Sequence, residues 1–416
     1  MDINKVFRLN EHCFLIEGAK RGAIYKLDTG DVFSIDETGV SLLKKCENNP
    51  IKSIFVGEDD FFRLSSIAYL EKLEKEKIGV CIDSDAIISR KIILEKPSIL
   101  EFIWLEVTKK CNLRCIHCYL GDKYENRSLM LKSDWNRVIK QSYDLGCRRL
   151  QFIGGEPLLY EDLFDLILEA KKLNFQYIEV YTNATLLNNE KIRFLKDINI
   201  KIATSFYSVL PNIHDQITCQ EGSFLKTITN IQKMINSGIS LRIGLVVTSI
   251  NEGQLDQTID FLKNDIGVKN IRIDMVKPIG RGLEKKLTPI IFSEKQKRVQ
   301  PDFAKCGIDK FRVAINGHNC FSKKMCINSE GSAFPCIMER DIILGNVLID
   351  RLDGILKNPS NDNIRGLSKD FIETCKDCEY RYCCFDCRPK AKKDGLGNLF
   401  AKPSNCSYNP YEGRWY

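Results

Sequence analysis

Three cysteines within residues 111–118 constrain this chain more than anything else in it. The stretch reads Cys-Asn-Leu-Arg-Cys-Ile-His-Cys, so its thiols fall at Cys111, Cys115 and Cys118. They follow directly on the apolar run Phe102-Ile103-Trp104-Leu105-Glu106-Val107-Thr108. A short, partly β-branched run of this kind reads as a buried strand. The cysteines then sit in the loop at the strand's C-terminal end, where α/β barrels place their chemistry. Close thiolates suit zinc or iron–sulfur chemistry, and a tetrahedral structural zinc needs a fourth ligand. A cubane held by three cysteines keeps one iron open for a substrate.

The arrangement C-x3-C-x2-C, with His117 before Cys118 and Tyr119 after it, resembles the signature of the radical S-adenosylmethionine (radical SAM) enzymes. The bland alternative is a chance cluster of buried or zinc-bound thiols. One strand and helix later the chain reads Phe152-Ile153-Gly154-Gly155-Glu156-Pro157. Glycines followed by proline mark a tight turn where backbone can approach a ligand closely. In the radical SAM family a matching Gly-Gly-Glu-Pro segment binds the methionyl ammonium of S-adenosylmethionine. The resemblance therefore assigns Gly154, Gly155, Glu156 and Pro157 to the cofactor.

A chain of 416 residues has material for two to three domains. The net charge of +7 is mild and the lysines are scattered, which gives no stripe suited to nucleic acid. Residues 1–10 are polar and charged, unlike a signal peptide, and no apolar run reaches the length of a membrane span. The expectation is a soluble, cytoplasmic protein with no nucleic-acid or membrane partner. Eighteen cysteines are then too many to serve only as small hydrophobes, and a disulfide framework is disfavoured. Eight of them crowd into residues 320–387, with Cys406 just beyond. With four histidines in the chain, thiolate-only ligation of zinc or iron–sulfur clusters is the economical reading.

Residues 1–95 read as a small α+β domain. Strands are expected over 12–16, 22–27 and 32–35, the last two as a hairpin, and helices over 39–46 and 62–78 with Gly79 as a stop. A small sheet followed by helices is similar to the domain that grips a leader peptide by strand addition on enzymes modifying ribosomally made peptides. The alternative is an N-terminal cap on the barrel. Residues 83–98 read as a linker.

From Phe102 strand and helix alternate, with further strands expected over 150–153, 177–181, 200–206, 241–247 and 271–276. The clearest helix spans 133–145, with Ser133 as cap and Gly146 as terminator. The fold class is α/β: a partial (β/α)6 TIM-like barrel over 96–300, with parallel strands and right-handed crossovers. Radical SAM proteins have a partial barrel of this kind.

Further residues carry the resemblance less far. Tyr181-Thr182-Asn183 resembles the family's Thr-Asn-Gly, with Ala184 in place of the glycine. Asn183, Ser205 at the end of the fourth strand and Val247 late in the fifth are expected near the cofactor. His214-Asp215 through Gly222-Ser223-Phe224 resembles a family segment that usually carries an arginine where this chain has Ile217-Thr218. The partner of the cofactor carboxylate is therefore open, with Arg242 one candidate. Arg281, in the turn at 278–282, is expected near the barrel mouth. No catalytic acid or base stands out; Asp274 is a positional candidate.

The C-terminal region, 301–416, reads Cys320-x5-Cys326, Gly331-x4-Cys336, Cys375-x2-Cys378-x5-Cys384-x2-Cys387 and then Cys406. It resembles the SPASM extension, a cysteine-rich domain that binds two auxiliary 4Fe–4S clusters. The family block usually ends C-x5-C-x3-C; here either Cys384 serves with a final gap of two, or Cys383 with gaps of four and three. The resemblance implies Cys320, Cys326, Cys336 and Cys387 on one cluster and Cys375, Cys378, Cys384 and Cys406 on the other. Asp386 and Arg388 are candidates for tuning potential. A pair of zinc ribbons would satisfy the same spacings. Cys13, Cys46, Cys81, Cys147, Cys219 and Cys306 stand apart as core or surface thiols.

Together the resemblance implies three 4Fe–4S clusters and S-adenosylmethionine, reductively cleaved to a 5′-deoxyadenosyl radical that takes hydrogen from a substrate carbon. It implies a maturase acting on a precursor peptide, giving a crosslinked, epimerised or oxidised residue, with an electron donor such as flavodoxin or ferredoxin. The alternatives are sulfatase-maturase-like oxidation of a Cys or Ser in a protein, and a zinc-stabilised peptide-binding protein without radical chemistry.

Overall fold

Short apolar runs between glycine and asparagine turns become the strands of this chain, and the computed structural model describes residues 1–88, 100–121, 130–297 and 305–416. They fall into two compact units. One comprises residues within 1–97, 298–319 and 366–416; the other comprises residues within 98–297 and 320–365.

In the first unit, β1 (Val6–Leu9) precedes an antiparallel sheet of β2 (Cys13–Glu17), β3 (Gly22–Lys26) and β4 (Asp31–Ile35), in the order β2-β3-β4. Two helices follow. Asp36 caps Glu37–Asn48 by accepting from the Gly39 N–H at 2.8 Å, and Asp59 caps Asp60–Lys75 through the Phe62 N–H at 2.7 Å. Such side-chain acceptors satisfy amides that the first helical turn leaves unpaired. Gly79, read as a helix stop, instead opens β5 (Gly79–Ile82), which pairs antiparallel with β1. Both strands have four residues, too few to show a period. Much of the expected linker 83–98 lies outside the described residues. Phe7, Leu42 and Leu70 form one core. Phe14 and Tyr25 join Phe311, Tyr380 and Tyr408 in a second, with the Phe14 and Phe311 rings 5.3 Å apart.

The second unit is the expected α/β body. β6 (Phe102–Thr108), β7 (Arg149–Gly154), β8 (Tyr177–Thr182), β9 (Lys201–Ser205), β10 (Leu241–Val247) and β11 (Ile271–Met275) are parallel neighbours in chain order. Helices cover them, and Ile103, Phe152, Val180, Ile202 and Trp135 pack in one core. The helix after the cysteine loop, Lys132–Asp144, is not capped by Ser133. Leu131 takes that place, and Asp134 accepts its N–H at 3.1 Å.

The sheet also continues past its expected edge. β12 (Lys324–Ile327) lies parallel to β6, placing Cys326 opposite Trp104. β13 (Ser332–Phe334) and β14 (Gly345–Asn346) follow antiparallel. Among the described residues no helix is long and apolar enough to cross a membrane.

Candidate active site

The parallel strands aim their C-terminal ends at one edge, and the loop from Lys109 to Gly121 hangs there, held by backbone hydrogen bonds as well as by the side chains of Lys109, Asn112 and Tyr119. The Arg114 and Ile116 N–H groups donate to the carbonyls of Thr218 (3.1 Å) and Ile217 (2.9 Å). The Arg281 N–H donates to the Cys118 carbonyl at 2.9 Å. Gly280 sits at φ +56°, and a Cβ there would lie 2.5 Å from the carbonyl oxygens of Cys118 and Tyr119. That approach requires glycine. The segment holding Ile217 and Thr218 is itself tied down by Asp215, which accepts from the Gly222 and Phe224 N–H groups and the Ser223 hydroxyl, each at 2.7 Å. The family-like His-Asp to Gly-Ser-Phe stretch thus braces the cysteine loop.

Cys111, Cys115 and Cys118 all line one cavity of about 680 Å³, within the range of small-molecule sites. Burial raises the thiol pKa of Cys111 to about 11 and of Cys115 to about 12, and pushes Cys118 up as well. Such thiols stay protonated near neutral pH unless a metal takes the proton's place. Burial, then the Arg281 charge, holds His117 at about 4, and its Nδ1 is a buried polar atom without a hydrogen-bond partner. Among the described residues no three His, Cys, Asp or Glu side chains draw together at single-ion distance. The three thiols share a cavity wall, and an orphaned polar atom lies beside them. This donor set fits an iron–sulfur cluster bound through thiolates.

The turn at Gly154-Gly155 forms the adjoining wall. The Gly155 N–H donates to Thr108 at 2.8 Å, and a Cβ on Gly155 would lie 2.2 Å from the Lys110 carbonyl. Glu156 is fully buried and does not line the cavity; nor does Pro157. Its carboxylate accepts from the Thr182 hydroxyl (2.6 Å), the Asn183 N–H (2.8 Å) and the Leu158 N–H (3.1 Å). Burial raises its pKa against those donors. The acid fastens the turn to the end of β8. Asn183 and Ser205 do line the cavity; the Asn183 amide nitrogen lies 4.0 Å from Cys111 Sγ, and the Ser205 hydroxyl lies 3.2 Å from that of Tyr181. Val247 is fully buried in the core, while Leu245 and Val246 reach the cavity instead. Ala184, at the family's glycine position, sits at φ +65°, a left-handed conformation that costs an L-residue roughly 1–2 kcal/mol.

Deeper along the strands the cavity is polar, which sequence reading had not indicated. Glu179 on β8 is 2% exposed and takes Arg242 in an ion pair at 2.7 Å, with the Tyr177 hydroxyl donating at 2.8 Å. Alternation along β8 was the available signal, since Tyr177, Glu179 and Tyr181 share one face. Arg242 is thereby committed to Glu179. Asp274 lines the cavity too and lies 3.5 Å from Lys277.

Two further cysteine groups are distinct. In the first unit Cys375, Cys378, Cys384 and Cys406 line one small pocket with Lys369. Burial raises Cys375 to about 11 and drives Cys378 higher still. Cys383 is 1% exposed in the aromatic core, with the Tyr25 hydroxyl 3.5 Å from its sulfur. Beside the pocket, buried Asp386 pairs with Lys369 (2.8 Å), His318 (3.1 Å) and Arg388 (2.6 Å). Burial opposes its charge, but these neighbours hold it well below the usual carboxylate range. In the second unit Cys326 and Cys336 are buried, Cys320 is half-buried, and the Arg340 guanidinium stands beside Cys326. Cys387 belongs to the first unit, at the start of the helix Arg388–Asp394. Cys13, Cys46, Cys147 and Cys306 are buried, Cys81 half-buried and Cys219 exposed.

Comparison with known proteins follows these two cysteine regions. The family model of the radical SAM superfamily matches residues 105–262, and that of the SPASM iron–sulfur cluster-binding domain matches residues 320–379. The subtilosin biosynthesis protein AlbA of Bacillus subtilis is 26% identical over 319 residues, covering 73% of this chain and 70% of AlbA. A GTP 3′,8-cyclase of Clostridium botulinum is 28% identical over 59% of this chain and 84% of its own length. Among solved structures, Streptococcus suis SuiB bound to its precursor peptide SuiA superposes with a TM-score of 0.58 at 17% identity, over 97% of this chain and all of SuiB.

Proposed function

We propose that this chain, a radical SAM enzyme with a C-terminal SPASM iron–sulfur domain, is a maturase that acts on a ribosomally made peptide. The observation that carries the reading is the single cavity on which the three loop thiols meet the Gly154-Gly155 turn, Asn183 and Ser205. The extent of the likeness supports the choice of target: AlbA is similar over most of both chains, and SuiB over nearly all of this one.

When bound, the cluster and S-adenosylmethionine together supply a carbon-centred radical able to remove hydrogen from an unactivated carbon. The chain's own residues hold and shield. Cys111, Cys115 and Cys118 are assigned as ligands of the first cluster. The backbone at Gly154 and Gly155, with Asn183 and Ser205, is assigned to the cofactor, and Glu156 keeps that turn in register. Cys375, Cys378, Cys384 and Cys406 are assigned to one auxiliary cluster. Cys320, Cys326 and Cys336 are assigned to another. Three 4Fe–4S clusters in all, reduced by a flavodoxin- or ferredoxin-like donor, complete the proposal, with the cytoplasm as its location.

Residues 1–95 are assigned to leader recognition. Among the described residues β4 has no neighbour on its outer edge, which leaves N–H and C=O groups for strand addition by a peptide. The test is mass spectrometry of a leader-bearing precursor peptide incubated with reconstituted protein, reductant and S-adenosylmethionine. A mass change that is lost when residues 1–95 are deleted, while iron content stays at the wild-type level, supports both parts. An unmodified peptide removes the maturase reading, and equal modification by the truncated chain removes leader recognition.

A further inference from the structure

The cavity that opens at the cysteines runs the length of the strands. At one end it is lined by Gly154, Thr182 and Ser205, the last residues of β7, β8 and β9. At the other it is lined by Arg149 and Tyr177, the first residues of β7 and β8, with Arg272 near the start of β11 and Lys324 opening β12. Parallel pairing forces this separation: each strand from β6 to β12 begins at the edge opposite the cysteine loop. Arg149 and Arg272 are exposed.

This second edge is basic. The Arg149 guanidinium lies 5.0 Å from the Tyr177 ring centroid, and Lys201 Nζ, from the start of β9, lies 5.3 Å from the same ring. The nearby acids are already engaged: Glu101 with Lys323, Glu179 with Arg242 and Asp274 with Lys277. Among the described residues Arg149, Lys201, Arg272 and Lys324 have no carboxylate within ion-pair distance. Uncompensated cations on the rim of a cleft raise the local concentration of anions and speed their encounter. An arginine laid against an aromatic ring keeps its N–H fork for a carboxylate.

We propose that this basic rim receives acidic side chains of the substrate peptide, which enters the cavity at the edge opposite the cysteines. The proposal rests on the maturase reading above. It also sets a spacing. β7 has six residues, and at about 3.3 Å per residue the two ends lie roughly 17 Å apart. In an extended peptide the acid therefore stands about five residues from the position that reacts.

The test is fluorescence anisotropy of the reconstituted full-length protein with two labelled octapeptides, one alternating Glu and Gly, the other alternating Gln and Gly. The Glu peptide should bind about tenfold more tightly at low salt, with the advantage shrinking as salt screens it. Arg149→Glu/Arg272→Glu should abolish the preference and Arg149→Gln/Arg272→Gln should reduce it, at wild-type iron content. Lys263→Glu, an exposed charge reversal elsewhere, should leave it intact. Equal affinity for the two peptides overturns the proposal. So does a preference that survives the double variant, or one that Lys263→Glu removes equally. Release of 5′-deoxyadenosine by the same wild-type preparation separates the two failures. If release persists without peptide preference, the rim alone is wrong; if release is absent, the functional reading fails whatever the peptides do.

Discussion

Arg340 forms a two-pronged ion pair with Glu106, its Nη1 donating to Oε2 at 3.0 Å, and the Tyr119 hydroxyl donates to Glu106 Oε1 at 2.8 Å. Glu106 lies on the strand that leads into the cysteine loop, Tyr119 follows Cys118, and Arg340 stands beside Cys326. One buried carboxylate thus ties the cysteine loop to the segment between β13 and β14, beside an auxiliary-ligand candidate.

Replacing Arg340 with Met leaves that carboxylate buried and unpaired, which costs about 3–5 kcal/mol. Urea midpoints should fall accordingly. Adding Glu106→Gln should recover much of the loss, because the two changes act on one contact. Additive losses would show that the pair is not the source.

Cys383 and Cys384 are adjacent, but only Cys384 lines the pocket of Cys375, Cys378 and Cys406. Cys384→Ala should lower reconstituted iron by about four atoms, one cubane. Cys383→Ala should keep the iron and lower stability modestly. The reverse result would reassign the ligand.

Lys369 is buried beside Cys375, Cys384 and Asp386. A fixed positive charge near a cluster favours its reduced form. Lys369→Met should therefore lower the potential of that auxiliary cluster, by on the order of 100 mV. A redox titration followed by electron paramagnetic resonance reads the shift, and an unchanged potential would detach Lys369 from this cluster.

Burial keeps His214 neutral, with a pKa of about 4 against about 6.5 unfolded. The unfolded chain takes up the proton first, so this stability is fully present above about 6.5 and is lost as pH falls towards 4. His214→Asn should flatten the pH dependence of the denaturation midpoint over that window. An identical slope would contradict the assignment.

The six parallel strands were legible because apolar runs recur with turn residues between them. β1, β5 and β12 were not, because four residues carry no period, and Cys326 reads as a ligand before it reads as a strand residue. The cysteine loop and the glycine turn were legible as residue types, but the use of Glu156 was not. A carboxylate in a ligand-binding motif looks the same whether it faces a cofactor or three donors of its own chain. Arg242 reads in the sequence as one candidate partner for the cofactor carboxylate because Glu179, which it pairs in the fold, lies 63 residues away in sequence. Cys384 and Cys383 differ only in the direction their side chains take, which the fold around Tyr25 decides.

The role of the loop thiols is tested most directly by single-turnover release of 5′-deoxyadenosine. Anaerobically reconstituted protein, given reductant and S-adenosylmethionine, should release it, and Cys115→Ala should release none. Release that persists in Cys115→Ala, or a wild-type protein that loads iron and releases none, would contradict the assignment of Cys111, Cys115 and Cys118.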